Sequence, residues 1–153
     1  MIHLALFEPR IPQNTGNISR TCVLTGAKLH LIEPMGFTLE ESQLKRSGLD
    51  YWPYLQLQTH PNVESFFGYI GDAPLFLVTS KARKTYWEEE YPEDVFFFFG
   101  REDSGVPVWI REKLSERSIR IPMPGEMNDR SLNLSNAVAV VLYEALRQRM
   151  SAL

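Results

Sequence analysis

The sequence has few of the features that mark secreted, membrane or metal-binding proteins. Its 153 residues include one cysteine, Cys22, which excludes an internal disulfide and fits a reducing compartment. No apolar run approaches the roughly 20 residues of a membrane span, and the first residues lack the basic segment of a secretory signal. His3, His30 and His60 are far apart in sequence and show no metal-ligand spacing. We therefore expect a cytoplasmic protein that has no membrane segment and binds no metal.

Two signatures of nucleotide binding are also missing. No Gly-x-Gly-x-x-Gly follows a predicted strand, which argues against a dinucleotide-binding fold. Residues 100–105 have the glycine spacing of a phosphate loop, but Val106 and Pro107 stand where that loop needs Lys and Ser or Thr. Without the lysine charge and the magnesium-binding hydroxyl, this segment is not a nucleoside triphosphate site. The two glycines of this segment and the polar residues between them therefore need another explanation.

Composition and length favour one globular domain that spans residues 1–153. The chain is 44% hydrophobic and 23% charged, as in ordinary globular proteins, and its length suits a single core. The formal net charge is −3, whereas nucleic-acid-binding proteins are more often basic. The distribution matters more than the sum, because many cations lie near predicted loops or helix starts, where they either bind a ligand or are solvated surface. These cations are Arg10, Arg20, Lys45, Arg46, Lys81, Arg83, Lys84, Arg101 and Arg130.

Strand and helix patterns alternate along the chain. Short apolar or alternating runs predict strands at 2–7, 28–32, 54–57, 75–79, 95–99 and 118–121. Helical spacing, caps and prolines predict helices at 14–25, 61–70, 107–114 and 134–150, and a capping box at 38–41 predicts a further short helix. This alternation is typical of an α/β fold with a mainly parallel sheet flanked by helices. Because ligands bind beyond the carboxyl ends of such strands, we expect a site in the loops after Phe7, Thr79, Phe99 and Ile121.

The first of three polar segments follows the first predicted strand. Asn14, Gly16, Asn17 and Arg20 stand in the first turns of a predicted helix, which Asn14 can cap and Gly26 can end. A capped amphipathic helix with an exposed arginine is one interpretation of this pattern. A ligand-binding turn, in which Gly16 lets the backbone approach the ligand closely, is the other, and the segment alone leaves both open.

The second segment, residues 99–107, links a strand of nearly all aromatic residues to a predicted helix. Gly100 permits a sharp exit from the strand, and Pro107 suits a helix start. A plain strand-to-helix turn would favour the same glycine and proline. It does not explain the adjacent acids Glu102 and Asp103, which therefore indicate a functional turn.

The third segment begins where the last predicted strand ends, at Ile121, and continues into the last helix. Residues 131–136 read Ser-Leu-Asn-Leu-Ser-Asn. One Ser or Asn is enough to cap a helix. The additional hydroxyls and amides at this helix start suit a polar ligand.

Together the three segments resemble the motifs of the SPOUT methyltransferases. Asn-Thr-Gly-Asn-Ile-x-Arg-Thr-Cys, Phe-Gly-x-Glu-x-x-Gly-x-Pro, and Ile-Pro-Met followed by Arg-Ser-Leu-Asn-Leu-Ser-Asn occur in the family's order and spacing, through nearly the whole chain. Val106 departs from the pattern, since leucine is more frequent there. Residues 33–37 and 48–51 also resemble the branch that methylates the tRNA wobble position. The resemblance implies methyl transfer from S-adenosylmethionine to the ribose 2′-OH of cytidine or a modified uridine at position 34 of tRNA.

The same resemblance implies a fold and a cofactor site that the strand pattern alone does not. The chain would be a minimal family member without an added RNA-binding domain, and its C-terminal segment would form a deep trefoil knot. Two chains would form a homodimer in which the partner completes each site. S-adenosylmethionine would lie against the knot loops, largely against their backbone. The positions that match its contacts are Val78, Gly100, Ile121, Ser131 and Leu132.

Four residues match the family's catalytic and supporting positions, and they are Arg20, Asn133, Asn14 and Glu102. Arg20 matches the arginine that is often described as the base. Because a guanidinium keeps its proton, positioning a phosphate or stabilising the forming alkoxide is physically easier for it. Asn133, with Ser131, would orient the ribose or the cofactor. The reaction requires no metal, since the cofactor carries the electrophile.

Three alternatives stay open at this point. A 2′-O-methyltransferase that acts on ribosomal RNA or on another tRNA position would share these motifs. An RNA-binding protein without catalysis is disfavoured, because the polar residues of the motifs are intact. A small-molecule-binding α/β domain would fit the acidic balance, and it predicts RNA association that is weak or independent of salt.

Overall fold

The computed structural model describes residues 1–39, 52–127 and 130–151. The strands in this part of the chain are β1 Ile2–Phe7, β2 Lys28–Ile32, β3 Leu57–His60, β4 Leu75–Val78, β5 Lys84–Thr85, β6 Val95–Phe99 and β7 Ser118–Arg120. The α-helices are α1 Pro12–Thr25, α2 Val63–Ile70, α3 Val108–Lys113 and α4 Leu134–Ser151, and Trp52–Tyr54 and Ser115–Arg117 form short 3₁₀ turns. The helix predicted at 38–41 falls largely outside the described residues.

The strands form one seven-stranded sheet in the order β3-β2-β1-β6-β4-β7-β5. Every neighbouring pair runs parallel, so the predicted α/β class with a mainly parallel sheet is confirmed. β6 is buried along its whole length, because a central strand with helices on both faces has no side that meets water. Parallel pairing places the carboxyl ends of β1, β4, β6 and β7 at one edge of the sheet.

Helices cover both faces of the sheet, and the alternation of side chains along β6 divides the core between them. On one face α1 and α4 pack through residues such as Ile18 and Leu142 against Phe97. On the other face α2 and α3 pack through Phe66 and Ile110. Each fully buried side chain of this size stabilises the fold by about 1.5–3 kcal/mol. The N-terminal ends of α1 and α4 therefore lie on the same face of the sheet.

The predicted elements differ from the observed ones in several places. The helix predicted at 61–70 begins at Val63, after the N-cap Asn62, so Pro61 is not in its first turn. The helix predicted from Asn14 begins at Pro12 and its N-cap is Ile11, which makes no side-chain cap. The prediction that Asn14 caps this helix is therefore wrong, whereas Gly26 does end it in the left-handed conformation. The strand predicted at 54–57 lies at Leu57–His60, because pairing with β2 sets its register. The two-residue strand β5 was not predicted, since two residues carry no periodic pattern.

Three histidines that are distant in sequence form a hydrogen-bonded row across β1, β2 and β3. His3 Nδ1 lies 2.9 Å from His30 Nε2, and His30 Nδ1 lies 2.9 Å from His60 Nε2. His30 is fully buried, as expected for a packed histidine with its hydrogen bonds satisfied. We call His3, His30 and His60 the histidine chain.

The histidine chain is walled by aromatic side chains. The His3 ring stacks on Phe96 with ring centroids 4.0 Å apart, and the edge of Phe66 meets both His30 and His60. Within the described residues, no group of His, Cys, Asp and Glu side chains is arranged to hold a metal ion, and no helix is long and apolar enough to cross a membrane.

Candidate active site

A cavity of about 520 Å³ opens beyond the carboxyl ends of β4, β6 and β7, between the starts of α1 and α4. This is the edge of the sheet at which the strand pattern predicts a ligand. Its wall contains all of the predicted site residues except Arg20: Asn14, Val78, Gly100, Glu102, Ile121, Ser131, Leu132 and Asn133. The three polar segments of the sequence therefore converge on one cavity.

The loop after β6 forms a tight turn that supplies one wall of this cavity. Arg101 and Gly105 exchange two backbone hydrogen bonds of 2.9 Å, and Gly105 has a φ of 69°, which favours glycine. A Cβ atom at Gly100 would lie 2.6 Å from the Gly105 carbonyl carbon. Both glycines are therefore needed for the turn. A side chain at Gly100 would collide with the Gly105 backbone, and one at Gly105 would strain the backbone at its positive φ.

Glu102 in this turn caps α1 from a distant part of the chain. Its carboxylate accepts hydrogen bonds from the backbone N–H groups of Arg10, at 3.0 Å, and Ile11, at 2.6 Å, and from Asn14 Nδ2 at 3.4 Å. A carboxylate at a helix N-terminus satisfies free N–H groups and complements the helix dipole. This explains why α1 has no side-chain cap from its own N-cap residue, Ile11. It also explains why the Asn14 side chain is not used as the cap of this helix.

Asn14 is also hydrogen-bonded to the third segment. Its Oδ1 accepts a hydrogen bond of 3.1 Å from Asn133 Nδ2. Asn133 Oδ1 in turn accepts from the N–H and the hydroxyl of Ser135, at 2.9 and 2.6 Å, and so caps the start of α4. We call Glu102, Asn14 and Asn133 the amide–carboxylate network.

The orientation of each amide in the network follows from Glu102. A carboxylate accepts hydrogen bonds and cannot donate, so Asn14 must present its NH₂ group to Glu102 and its oxygen to Asn133. Asn133 must then donate to Asn14 and use its oxygen as the helix cap. The network therefore holds the three segments in one relative arrangement, and its hydrogen bonds to a charged group contribute about 1.5–3 kcal/mol each.

A second set of contacts holds the outer side of the turn. Arg101 pairs with both Asp103 oxygens, at 3.0 and 2.9 Å, and with Glu8 at 3.4 Å. Glu8, directly after β1, has a φ of 45°, and it also lies 3.6 Å from the Arg10 guanidinium. Hydrogen bonding to Arg101 lowers the pKa of Asp103 to about 2. Arg101 is thus neutralised by its own neighbours although it lines the cavity.

Arg20 does not reach this cavity within one chain. It is exposed on α1 and is absent from the cavity wall. It follows Asn14 by six residues, which places it roughly 9 Å further along the helix and about 240° round its axis. The cavity of a single chain therefore contains the predicted cofactor and network residues but not the predicted catalytic arginine.

Comparison with known proteins identifies the family of this chain. The sequence model of the SpoU rRNA Methylase family matches residues 1–143. The chain belongs to the SpoU rRNA methylase family. The matched range contains β1 to β7 and most of α4, so it includes every residue that lines the cavity.

Three relatives of this SpoU-family chain indicate what such a site does elsewhere. The tRNA (cytidine(34)-2′-O)-methyltransferase of Methylovorus glucosotrophus (strain SIP3-4) is 45% identical over 149 residues, with 97% of this chain and 96% of that protein covered. A solved structure from work on the 2-OH methylation of C/U34 on tRNA has a TM-score of 0.92 and 40% identity, with 99% and 97% covered. The AdoMet-bound rRNA methyltransferase from Sinorhizobium meliloti has a TM-score of 0.79 and 25% identity over 95% of this chain and 56% of that one.

The cavity of this SpoU-family chain also contains residues that were not among the predicted site residues. Thr79 and Lys81 follow β4, Arg111 lies within α3, and Met123 lies in the loop after β7. The loop after Thr79 was predicted to border a site, and Lys81 was one of the cations near predicted loops. Arg111 stands in the middle of a short amphipathic helix, where no sequence pattern distinguishes a ligand-binding arginine from a solvated one.

Proposed function

We propose that the protein transfers the methyl group of S-adenosylmethionine to the ribose 2′-OH of cytidine or a modified uridine at position 34 of tRNA. The observation that carries the proposal is the convergence of the three motif segments on one cavity, tied together by the amide–carboxylate network. The near full-length likeness to a named tRNA (cytidine(34)-2′-O)-methyltransferase supports the substrate. Because this likeness extends over nearly the whole chain, it also supports a single domain that spans residues 1–153.

The cavity residues fit S-adenosylmethionine. Val78, Ile121 and Leu132 give the wall apolar surface, and the tight turn at Gly100 leaves backbone groups within reach of a polar edge. An adenine needs this combination of an apolar slot and a few fixed hydrogen-bonding groups. Ser131 adds a hydroxyl at the same wall. When bound, the cofactor supplies the electrophilic methyl group.

The network residues act as positioning groups in this proposal. Every oxygen of Glu102 and both polar atoms of Asn14 already have partners, so these side chains hold the loops and leave the proton of the 2′-OH to another group. Methyl transfer requires the hydroxyl to lie in line with the methyl at near-attack distance. A shift of any one of the three loops would disturb this alignment.

Arg20 requires a second chain to take part. We propose a homodimer in which Arg20 of one protomer reaches the cavity of its partner and stabilises the forming alkoxide or holds a phosphate. Leu24 is exposed on α1 one turn after Arg20, and Tyr143 and Met150 are exposed on α4, which packs against α1. These exposed apolar side chains support an interface that involves the two helices. Such exposed apolar groups are typical of an association surface when they lie together.

The resemblance implies two further properties that belong to this proposal. One is a C-terminal trefoil knot, which the parallel sheet and the likeness to SpoU-family structures support. The other is a cytoplasmic location, which the tRNA substrate of the relatives supports.

The function is tested by methyl transfer from labelled S-adenosylmethionine to tRNA from cells that lack this gene, followed by mapping of the labelled nucleotide. Label as a 2′-O-methyl group at position 34 is expected. Label at another tRNA position or in ribosomal RNA alone would contradict the proposed substrate while it retained the chemistry. No transfer to any RNA would contradict both.

The role of Arg20 is tested by mixing two inactive proteins. Arg20→Ala should lower kcat by about 100-fold or more. Leu132→Arg, a substitution at an exposed cavity residue, should block the cofactor site but retain Arg20. After subunit exchange, mixed dimers should regain activity, because the Arg20→Ala chain offers an intact cavity and the other chain an intact arginine. If the mixture stays inactive although mixed dimers form, Arg20 does not act across the interface.

A further inference from the structure

Two of the three cations in the cavity wall have no acidic partner among the described residues. The third cation of the cavity wall, Arg101, pairs with Asp103 and Glu8. Lys81, in the loop after β4, and Arg111, in α3, both line the cavity. Within residues 1–39, 52–127 and 130–151, neither side chain makes a hydrogen bond or an ion pair.

The acids of the same wall do not compensate these two charges. The Glu102 carboxylate accepts hydrogen bonds from Arg10 N, Ile11 N and the Asn14 amide. Asp103 is paired with Arg101. The cavity wall therefore carries a net positive charge, on a chain whose formal net charge is −3. Cations concentrated at a cleft attract an anionic ligand and raise its rate of association.

The charge of the two possible ligands decides between them. S-adenosylmethionine carries a sulfonium, an ammonium and a carboxylate, so it is a net cation, and two unpaired cations would not favour it. RNA carries one negative charge for each nucleotide. Arg111 is half-buried and Lys81 is exposed, so at least one of the two cations is accessible to a backbone that enters from solvent.

We propose that Lys81 and Arg111 bind a phosphate of the RNA backbone adjacent to the nucleotide whose ribose enters the cavity. This inference rests on the proposed function and assigns the substrate contact within one chain. The arginine fork suits two phosphate oxygens, and the lysine acts as a point charge. The contact would hold the strand in register with the cofactor.

The experiment measures tRNA binding as a function of KCl concentration for the wild type, Lys81→Gln, Arg111→Gln and the double variant. Each lost phosphate contact should reduce the slope of log affinity against log salt by about 0.7–0.9, and weaken binding for all tRNA sequences alike. KM for tRNA should rise while kcat changes little, and the affinity for S-adenosylmethionine measured by calorimetry should stay the same.

Lys113→Gln is the matched control, because it removes a lysine two residues from Arg111 on the same helix. The Lys113 ammonium lies over the Phe67 ring, 5.1 Å from its centroid, and Lys113 is not part of the cavity wall. Its salt slope should equal that of the wild type.

Two results would overturn the inference: a wild-type salt slope in the double variant, or a loss of S-adenosylmethionine affinity with unchanged tRNA affinity. The second would assign the two cations to the carboxylate of the cofactor. A failure of the proposed function is recognised separately, because the wild type would then place no label at nucleotide 34.

Discussion

Two rows of hydrogen-bonded polar side chains join distant segments of this protein, and they differ in what they face. The amide–carboxylate network connects Glu102, Asn14 and Asn133 at the carboxyl edge of the sheet, and all three line the cavity. The histidine chain connects β1, β2 and β3, and aromatic rings pack against it. Both rows satisfy buried polar groups, which is a requirement of any folded chain.

The difference shows why a polar row alone does not mark an active site. The network ends at open space where a ligand can enter, and its atoms set the positions of three loops. None of the three histidines lines the cavity, and His30 is fully buried with both ring nitrogens occupied. Substitutions in the network should therefore change turnover, and substitutions in the histidine chain should change stability.

The largest effect is expected from the network. Glu102→Ala leaves the N–H groups of Arg10 and Ile11 and the Asn14 amide without their acceptor, so the turn and the start of α1 should shift. A displacement of about 1 Å at reacting groups can reduce turnover by about 100-fold. Single-turnover methyl transfer would measure this loss. Glu102→Gln, which retains one acceptor oxygen, should lose less, and equal turnover for Glu102→Ala and the wild type would contradict the positioning role.

The histidine chain should respond in the opposite way. His30→Ala removes a buried ring and leaves two partners unsatisfied, so the free energy of unfolding should fall by about 3 kcal/mol. Urea unfolding followed by circular dichroism would measure this. The turnover of the folded fraction should remain near that of the wild type, because His30 lies away from the cavity. A loss of turnover without a loss of stability would reverse the comparison.

Acid should weaken the histidine chain. Burial, with the nearby positive charge of Lys28, lowers the pKa of His3 to about 4, and burial with the two other imidazoles and Lys28 lowers that of His30 to about 3. Burial and Lys28 also lower the pKa of His60. The neutral rings are thus favoured in the folded state, and the remaining charged groups near them are the N-terminus and Asp94.

The sign of the pH dependence follows from linkage. The unfolded chain takes up protons on its histidines below about pH 6.5, whereas folded His3 and His30 remain neutral until about pH 4 and about pH 3. Stability is therefore full above about pH 6.5 and falls as the pH decreases towards these values. The urea midpoint should decrease between about pH 7 and about pH 5. His3→Asn, which can still hydrogen-bond to His30, should show a shallower decrease, and an identical pH profile would contradict this assignment.

The smallest effect is expected at the cap of α2, which packs over the histidine chain. The Asn62 side chain accepts a hydrogen bond of 2.7 Å from Ser65 N. Asn62→Ala should lower the free energy of unfolding by about 1 kcal/mol without changing turnover or pH dependence. Thermal unfolding and methyl transfer would show this, and Asn62→Asp, which keeps an acceptor, should remain close to the wild type.

Much of this architecture was predictable from the chain, and the failures have a common cause. The strands at 2–7, 28–32 and 95–99 and the last helix were predicted with nearly their observed bounds, because burial imposes a pattern on adjacent residues. The cap of α1 was assigned wrongly to Asn14, because the real acceptor is Glu102, 88 residues away. The histidine chain escaped notice because its members are 27 and 30 residues apart, and parallel pairing brings them together.

The sequence by itself determined the α/β class, the mainly parallel sheet and the three polar segments that line the cavity, because these depend on local periodicity and on motifs of fixed spacing. Tertiary structure decided which polar atoms meet: that Glu102 caps α1 and that Asn14 joins it to Asn133. It also decided that Lys81 and Arg111 line the cavity whose acids, Glu102 and Asp103, already have other partners. It also decided that Arg20 lies outside the cavity of its own chain. Hydrogen bonds and ion pairs act over about 3–4 Å, so they depend on how the loops at the sheet edge are packed, which no local pattern specifies.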